Sequence, residues 1–279
     1  MAVAAVAGLA AGASAAAAGL TVFGLAATTL AGFTAAFALG AGLSIVSRAL
    51  MPTPSMGANM QGNSVTVREP AVSRKIIYGR ARVGGAIVYI DSTGTDNEYL
   101  HLVIAVAGHA IDGFEEVWFN DTKVWDGSFQ SNWGSYVHIG FHDGTQTTAD
   151  STLVSASTGW TNDHKLLDTA YIYVRLKYDT DQFAQGLPNI STVVRGKKVY
   201  NPVSATTAWS QNPALCVFDY LKDTKYGLAE AASNVNTTAL IAAQSLCDET
   251  VNLSGGGSQQ RYVLDGVVDT ANSRKDNIE

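Results

Sequence analysis

The stretch YLHLVIAVA, residues 99–107, has almost no polar relief beyond His101. A run of that kind predicts a nine-residue strand buried on both faces. Gly108 and the pair Asp112-Gly113 punctuate its end. Working outward, Ile76-Ile77-Tyr78 and residues 86–90 are short β-branched or aromatic runs bounded by Gly79, Gly84 and Gly85. Downstream, residues 114–119 and 122–125 flank Asn120-Asp121, which predicts a two-residue hairpin turn. Residues 136–141 alternate, and residues 170–178 (AYIYVRLKY) alternate more cleanly. In the latter, Tyr171, Tyr173, Arg175 and Lys177 oppose Ile172, Val174, Leu176 and Tyr178, the pattern of a half-exposed strand. Residues 191–200 predict a further strand pair across Gly196.

Beyond Asn201 the character changes. Asn212 before Pro213 is an N-cap followed by proline at the first helical position. Leu215, Phe218 and Leu221 make an apolar stripe, with Val217 beside them, and Gly227 is expected to end that helix. Asn236 caps a second helix with Leu240, Ala243 and Cys247 on one side. A flexible loop at Gly255-Gly256-Gly257 precedes an expected strand at residues 262–264. A third helix is expected from about Asp269, still running at Glu279, so the polypeptide is expected to continue. The fold class is α+β: mainly β, with a few helices in the C-terminal third.

The other end of the chain is different in kind. From Met1 to Ser47 there is no Asp, Glu, Lys, Arg or His, and Arg48 is the first ionisable side chain. As helix at ~1.5 Å per residue such a segment reaches roughly 70 Å, more than twice a hydrocarbon core of about 30 Å. It lacks the basic start and short apolar run of a signal peptide, and it has no solvated face. It must therefore be sheathed by lipid, by copies of itself or by partners. Gly8 and Gly12, four apart, permit close helix approach, while large anchors are few: Leu9, Leu20, Phe23, Leu25, Leu30, Phe33, Phe37 and Leu39. These residues are the candidates for membrane insertion or for plugging a lumen. Pro52 and Pro54 stop any helix there. The organisation expected is a hydrophobic helical segment (1–50), a linker (51–64), a β-rich part (65–205) and an α/β part (206–279).

The chain has 279 residues and a formal net charge of −6, which weighs against a nucleic-acid-binding surface. Two cysteines, Cys216 and Cys247, stand outside any CxxC or Cys/His cluster, so a disulfide framework is excluded by number.

The order of these elements resembles the N-terminal half of the tip attachment (protein J type, or central tail hub) proteins of lambda-like long-tailed phages. The stretches that carry the resemblance are REPAVSRKIIYGRARVGG (68–85), LHLVIAVAGHAIDGFEEVWFND (100–121), TNDHKLLDTAYIYVRLKYD (161–179), GLPNISTVVRGKKVYNP (186–202) and NPALCVFDYLKDTKYGL (212–228). The resemblance implies a homotrimeric hub in the virion, its β-barrel-like hub domains closing the distal end of the tail tube. The implied neighbours are distal tail protein, tape measure protein and other tail-tip proteins, with phage DNA met only in transit. Family members run much longer than this chain. The uncharged N-terminus is not a general family feature, so its role rests on physics alone: copies bundle inside the closed tip and are released toward a host membrane.

Candidate chemistry is sparse, and no enzyme, metal or cofactor is expected. His138 and His142 share a strand face but stand about 13 Å apart at ~3.3 Å per residue, too far to chelate one ion without a bend. His109 and Asp112 lack a nucleophile or second carboxylate nearby. Glu115 and Glu116 are adjacent, so on a regular strand they face opposite sides. Gly255-Gly256-Gly257 lacks the Lys-Ser or Lys-Thr of a phosphate loop. Arg195, Lys197 and Lys198 are expected at a solvated hairpin end, with contact to DNA in the tube as the sharper alternative. Trp118, Phe119 and Trp125 are expected as core or trimer contacts. Two rival functions are a membrane-anchored bacterial surface protein and a tip-borne cell-wall hydrolase.

Overall fold

The computed structural model describes residues 72–278 and, ahead of them, two short strands, β1 (Thr21–Val22) and β2 (Leu25–Ala26), paired antiparallel. At these four residues strand pairing replaces the expected helix. β-Branched Thr21 and Val22 favour extended backbone, and Gly24 lies between the two strands in sequence. The rest of the uncharged segment lies outside the described residues, including Gly8, Leu9, Gly12, Leu20, Phe23, Leu30, Phe33, Phe37 and Leu39. So does the linker at 51–64.

The main body runs β3 (Lys75–Tyr78), β4 (Arg80–Gly84), β5 (Ala86–Thr93), β6 (Tyr99–Ala107), β7 (Gly113–Phe119), β8 (Thr122–Trp125) and β9 (Val137–His142). A short helix α1 (Ser151–Ala156) precedes β10 (Ala170–Lys177), β11 (Ile190–Arg195), β12 (Lys198–Asn201) and β13 (Thr206–Trp209). Helices α2 (Pro213–Lys222) and α3 (Thr237–Asp248) follow, then β14 (Thr250–Asn252), β15 (Ser258–Gln260) and β16 (Gly266–Asp269). The chain is thus mostly β with few helices, in keeping with the α+β class.

Two four-stranded antiparallel sheets dominate, ordered β5-β6-β10-β9 and β4-β11-β7-β8. The chain crosses from one to the other at Gly85, between β4 and β5. A side chain there would run into the Ala105 carbonyl and the Ile104 side chain, so only glycine lets the corner close on β6. Between the sheets lies the main core. Leu100, Leu102 and Ile104 of β6 and Ile172, Val174 and Leu176 of β10 meet Val117 and Phe119 of β7, Val124 of β8 and Ile190 of β11. Period-two alternation places these residues on one face.

The expectation of a half-exposed strand at 170–178 fails at Tyr171 and Tyr173, both completely buried. Their alternation is as read, but the outer face of this sheet has its own cover. Residues 144–169, including α1, lay Ala149, Leu153 and Trp160 over Val103, Tyr171 and Tyr173. Strand β6 is buried on both faces, as its composition predicts.

A third cluster joins the sheets to the C-terminal third. β3 pairs with β16, and Ile76 and Tyr78 pack with Val199 and with Leu215, Cys216 and Tyr220 of α2. Asn212 caps α2 by accepting from the N–H groups of Ala214 and Leu215, and Asn236 caps α3 by accepting from Ala239. Several expectations are corrected here. β11 and β12 do not pair across Gly196: β11 joins β4 and β7, while β12 joins β13. α2 stops at Lys222, short of Gly227. The inward side of α3 carries Leu240 and Gln244 rather than Ala243, which is exposed. Residues 262–264 are not a strand, and in place of a third helix from Asp269 the chain forms β16 and then turns.

Candidate functional site

The outer face of the second sheet carries a ladder of charges whose geometry depends on a bulge. Across from β11, Val193 faces Glu116 and Val194 faces Phe114, leaving Glu115 as the extra residue. The bulge overturns the expectation that Glu115 and Glu116 point to opposite sides, because Arg80 reaches both, at 3.7 Å from Glu116. Lys123 joins Glu116 at 3.1 Å, and the indole N–H of Trp118 donates to the same carboxylate at 2.7 Å. The Arg82 guanidinium lies 4.6 Å from the Trp118 ring centre and donates to the Asn120 carbonyl. Trp118 is therefore an outer-face residue. Phe119 is core, at 2% exposure, and Trp125 flanks the core against Phe141 at 4.5 Å.

At the joint between sheets and helices, Arg195 is part-exposed and Lys198 exposed, as expected, but β11 and β12 form no hairpin and Lys197 is largely covered. Lys197 sits between Asp219 and Asp223 of the α2 end, at 2.7 and 2.6 Å, and the Tyr78 hydroxyl donates to Asp219 at 2.7 Å. Burial works against the Lys197 ammonium, but the two carboxylates outweigh it and raise its pKa. Burial likewise opposes the Asp223 charge, yet Lys197 and the N–H groups of Tyr226 and Lys225 hold its pKa down to about 2. Arg195 and Lys198 reach Asp112 at 2.7 and 3.4 Å.

Beside this joint, His109 is a structural acceptor and does not pair with Asp112. Its Nε2 accepts from the backbone N–H of Ile77 at 2.9 Å, and its Nδ1 lies 2.7 Å from the Ala110 carbonyl. Those two bonds fix a neutral ring with the proton on Nδ1. Burial pushes its pKa down to about 4.

The third network lies on the outer face of the first sheet. His142 and Asp150 are 2.7 Å apart, and Asp150 also caps α1 through the N–H of Leu153 at 2.8 Å. The Gln146 amide donates to the carbonyls of Leu166 and Thr169 at 2.7 and 3.0 Å, holding the covering segment together. His101 is fully buried between Thr93 and the Tyr173 hydroxyl, with its pKa pushed down to about 4 by burial. His138 and His142 thus have separate neighbours, Tyr173 for the first and Asp150 for the second. Among the described residues no cluster of His, Cys, Asp and Glu is placed to hold a metal ion. Cys216 and Cys247 are free thiols.

Asp150, Gln146, Asp219 and Asp223 escape a reading of the sequence. Only Asp150 carries a local signal, as a capping residue type directly before the six residues of α1. Chemically these groups cap, clamp and join. The Gly255-Gly256-Gly257 loop links two strands, β14 and β15, rather than a strand to a helix. Large apolar side chains stand exposed at Val203 in the β12–β13 connection (61%) and at Tyr262 and Val263 (53% and 52%). Among the described residues no helix is long and apolar enough to cross a membrane.

No family model matches the chain. Over 112 residues it is 30% identical to the tip attachment protein J of Escherichia phage SECphi27, a match covering 34% of this chain and 9% of that protein. Its structure is similar to a chain from the virion of a native gene transfer agent particle, with a TM-score of 0.40 and 14% sequence identity over 80% of this chain and 55% of the other. Within the matched 112 residues, the chain is similar to a phage tail protein.

Proposed function

We propose that the chain is a structural component of a phage tail tip, serving as a homotrimeric hub that closes the tail tube and opens for DNA ejection. The observation that carries this reading is the 112-residue similarity to a tip attachment protein. The site chemistry is compatible with it: the carboxylates and histidines described above are engaged in caps, ion pairs and ladder contacts that hold segments together. In this reading the neighbours are distal tail, tape measure and other tip proteins. The uncharged residues 2–47 are shielded inside the tip until they meet a host membrane.

The test is stoichiometry in purified virions together with cryo-electron microscopy of intact tips. The expected result is three copies per particle at the distal end of the tube. Recovery of the chain only with host membranes, and none in virions, would overturn the reading in favour of a surface anchor. Comparing intact tips with tips triggered on liposomes tests the membrane step separately. An unchanged position for residues 2–47 would remove it.

A further inference from the structure

Across the four strands of the first sheet runs one row of polar side chains. Asp91 of β5 is opposite His101 of β6, His101 is opposite Arg175 of β10, and Arg175 is opposite His138 of β9. Residues directly opposite in neighbouring antiparallel strands share a face, with Cβ atoms roughly 5 Å apart. Asp91 is occupied at the far end of the row by Ser157 and Tyr89. His101 is occupied by Thr93 and Tyr173.

Arg175 differs. It sits half-buried on an inner strand, its guanidinium 5.2 Å from the Tyr99 ring centre. Among the described residues no carboxylate lies within ion-pair distance of it; Arg80, Arg195 and Arg261 each have one, while Arg74 and Arg82, also without a carboxylate, donate to a hydroxyl or a carbonyl instead. Lys177, two residues on, adds a second positive charge on the same face. The Arg175 charge reaches both histidines and works with burial to disfavour their protonation. A half-buried guanidinium with five donors and no counter-charge has donors open to water or to an anion that displaces it. The planar guanidinium fork matches an oxyanion, and the flanking His138 ring can contribute one further hydrogen bond.

We propose that Arg175, with His138 beside it on β9, forms a binding site for a small oxyanion group, a carboxylate or a phosphate. The site is independent of the tail-tip reading above.

The experiment uses the full chain in mild detergent at constant ionic strength. Inorganic phosphate and acetate are titrated separately while the Arg175 Nε–H and His138 ring resonances are followed by NMR. The expected result is a saturable shift of both resonances with at least one anion, and which anion saturates first distinguishes a phosphate group from a carboxylate. Arg175→Gln should abolish the shift of His138. Arg175→Lys, which keeps the charge but loses the fork, should weaken binding several-fold, and it serves as the informative variant if the glutamine form does not fold. Arg80→Gln, which removes a cation already paired on the other sheet, should leave binding unchanged. Absence of a saturable shift with both anions overturns the proposal. So does equal loss in Arg80→Gln, which would mean that binding follows net charge.

Discussion

The imidazole of His109 occupies a place in the β-ladder: its Nε2 accepts the backbone N–H of Ile77 at 2.9 Å, where an adjoining strand would otherwise supply a carbonyl. Around it, the Lys75 carbonyl accepts from the Gly108 N–H, the Ile77 carbonyl from the Lys197 N–H, and the Gly79 carbonyl from the Gly196 N–H and the Trp209 indole, so β3 and Gly79 are held on that side by two side chains and three loop amides. Protonated Nε2 cannot accept, and a buried N–H facing an N–H is costly.

Acid should therefore loosen this joint. The His109 pKa lies at about 4, below the ordinary value of 6.5, so between those limits the unfolded chain binds the extra proton. Stability is complete above pH 6.5 and falls as the pH drops toward 4, by at most about 3 kcal/mol for this ring and less for its residual contact with water. His101, also at about 4, adds loss in the same window. Urea melts at pH 7.5, 5.5 and 4.5 should show the decline, and His109→Ala should be weaker at neutral pH by about 1–3 kcal/mol but less sensitive to acid. A His109→Ala curve parallel to the wild type would contradict the role assigned to the ring.

Lys197 is the second fastener of the same joint. Replacing it by Met leaves Asp219 and Asp223 facing each other without a cation, and the expected cost is about 3–5 kcal/mol. Adding Asp223→Asn should restore part of the loss, because the remaining carboxylate keeps the Tyr78 hydroxyl as a donor. With its folded pKa at about 2, Asp223 contributes stability that is present above about 3.8 and disappears as the pH falls to 2. Thermal melts of the single and double variants measure the coupling. Strict additivity would mean that the three groups do not act together.

The strands legible in this sequence are those whose surroundings impose a local pattern. Residues 99–107 and 170–177 run apolar or alternate because both lie inside a sheet, and Asn212 and Asn236 announce helices because capping is local chemistry. What stays hidden depends on distant residues. Nothing within 190–200 reveals that β11 and β12 belong to different sheets, or that Lys197 meets Asp219 and Asp223 on a helix further along the chain. The bulge at Glu115 exists only in relation to β11. Tyr171 and Tyr173 read as solvent-facing because their cover is a largely irregular segment whose six-residue helix is too short for a periodic signal.

Two glycines should respond to alanine very differently. Gly79 has φ +65°, and a Cβ there would strike the Leu264 carbonyl, so Gly79→Ala combines backbone strain with a clash against main chain, worth about 3–5 kcal/mol. Gly256 has φ +89° but nothing within 4 Å, so Gly256→Ala carries only the conformational cost, about 1 kcal/mol. Chemical denaturation of both variants checks the contrast. Similar losses would mean that the approach of residue 264 to β3 is not tight.

Asp150 closes the cover over the first sheet with two separate functions, and substitutions can divide them. As an N-cap it accepts from the Leu153 N–H at 2.8 Å, and as a charge it meets His142 at 2.7 Å. Asparagine caps almost as well as aspartate but brings no charge, so Asp150→Asn should cost about 1 kcal/mol, from the weakened hydrogen bond to His142 alone. Asp150→Ala loses both and leaves the α1 amides without an acceptor, for about 2–4 kcal/mol. Because that loss is local to residues 144–169, limited proteolysis should nick Asp150→Ala inside this segment while the sheets stay intact and the asparagine variant resists. If both variants are cut alike, the carboxylate's bond to His142 and not the cap holds the cover down. If neither is cut, then Leu153 and Trp160, buried against Tyr171 and Tyr173, are sufficient to hold it alone.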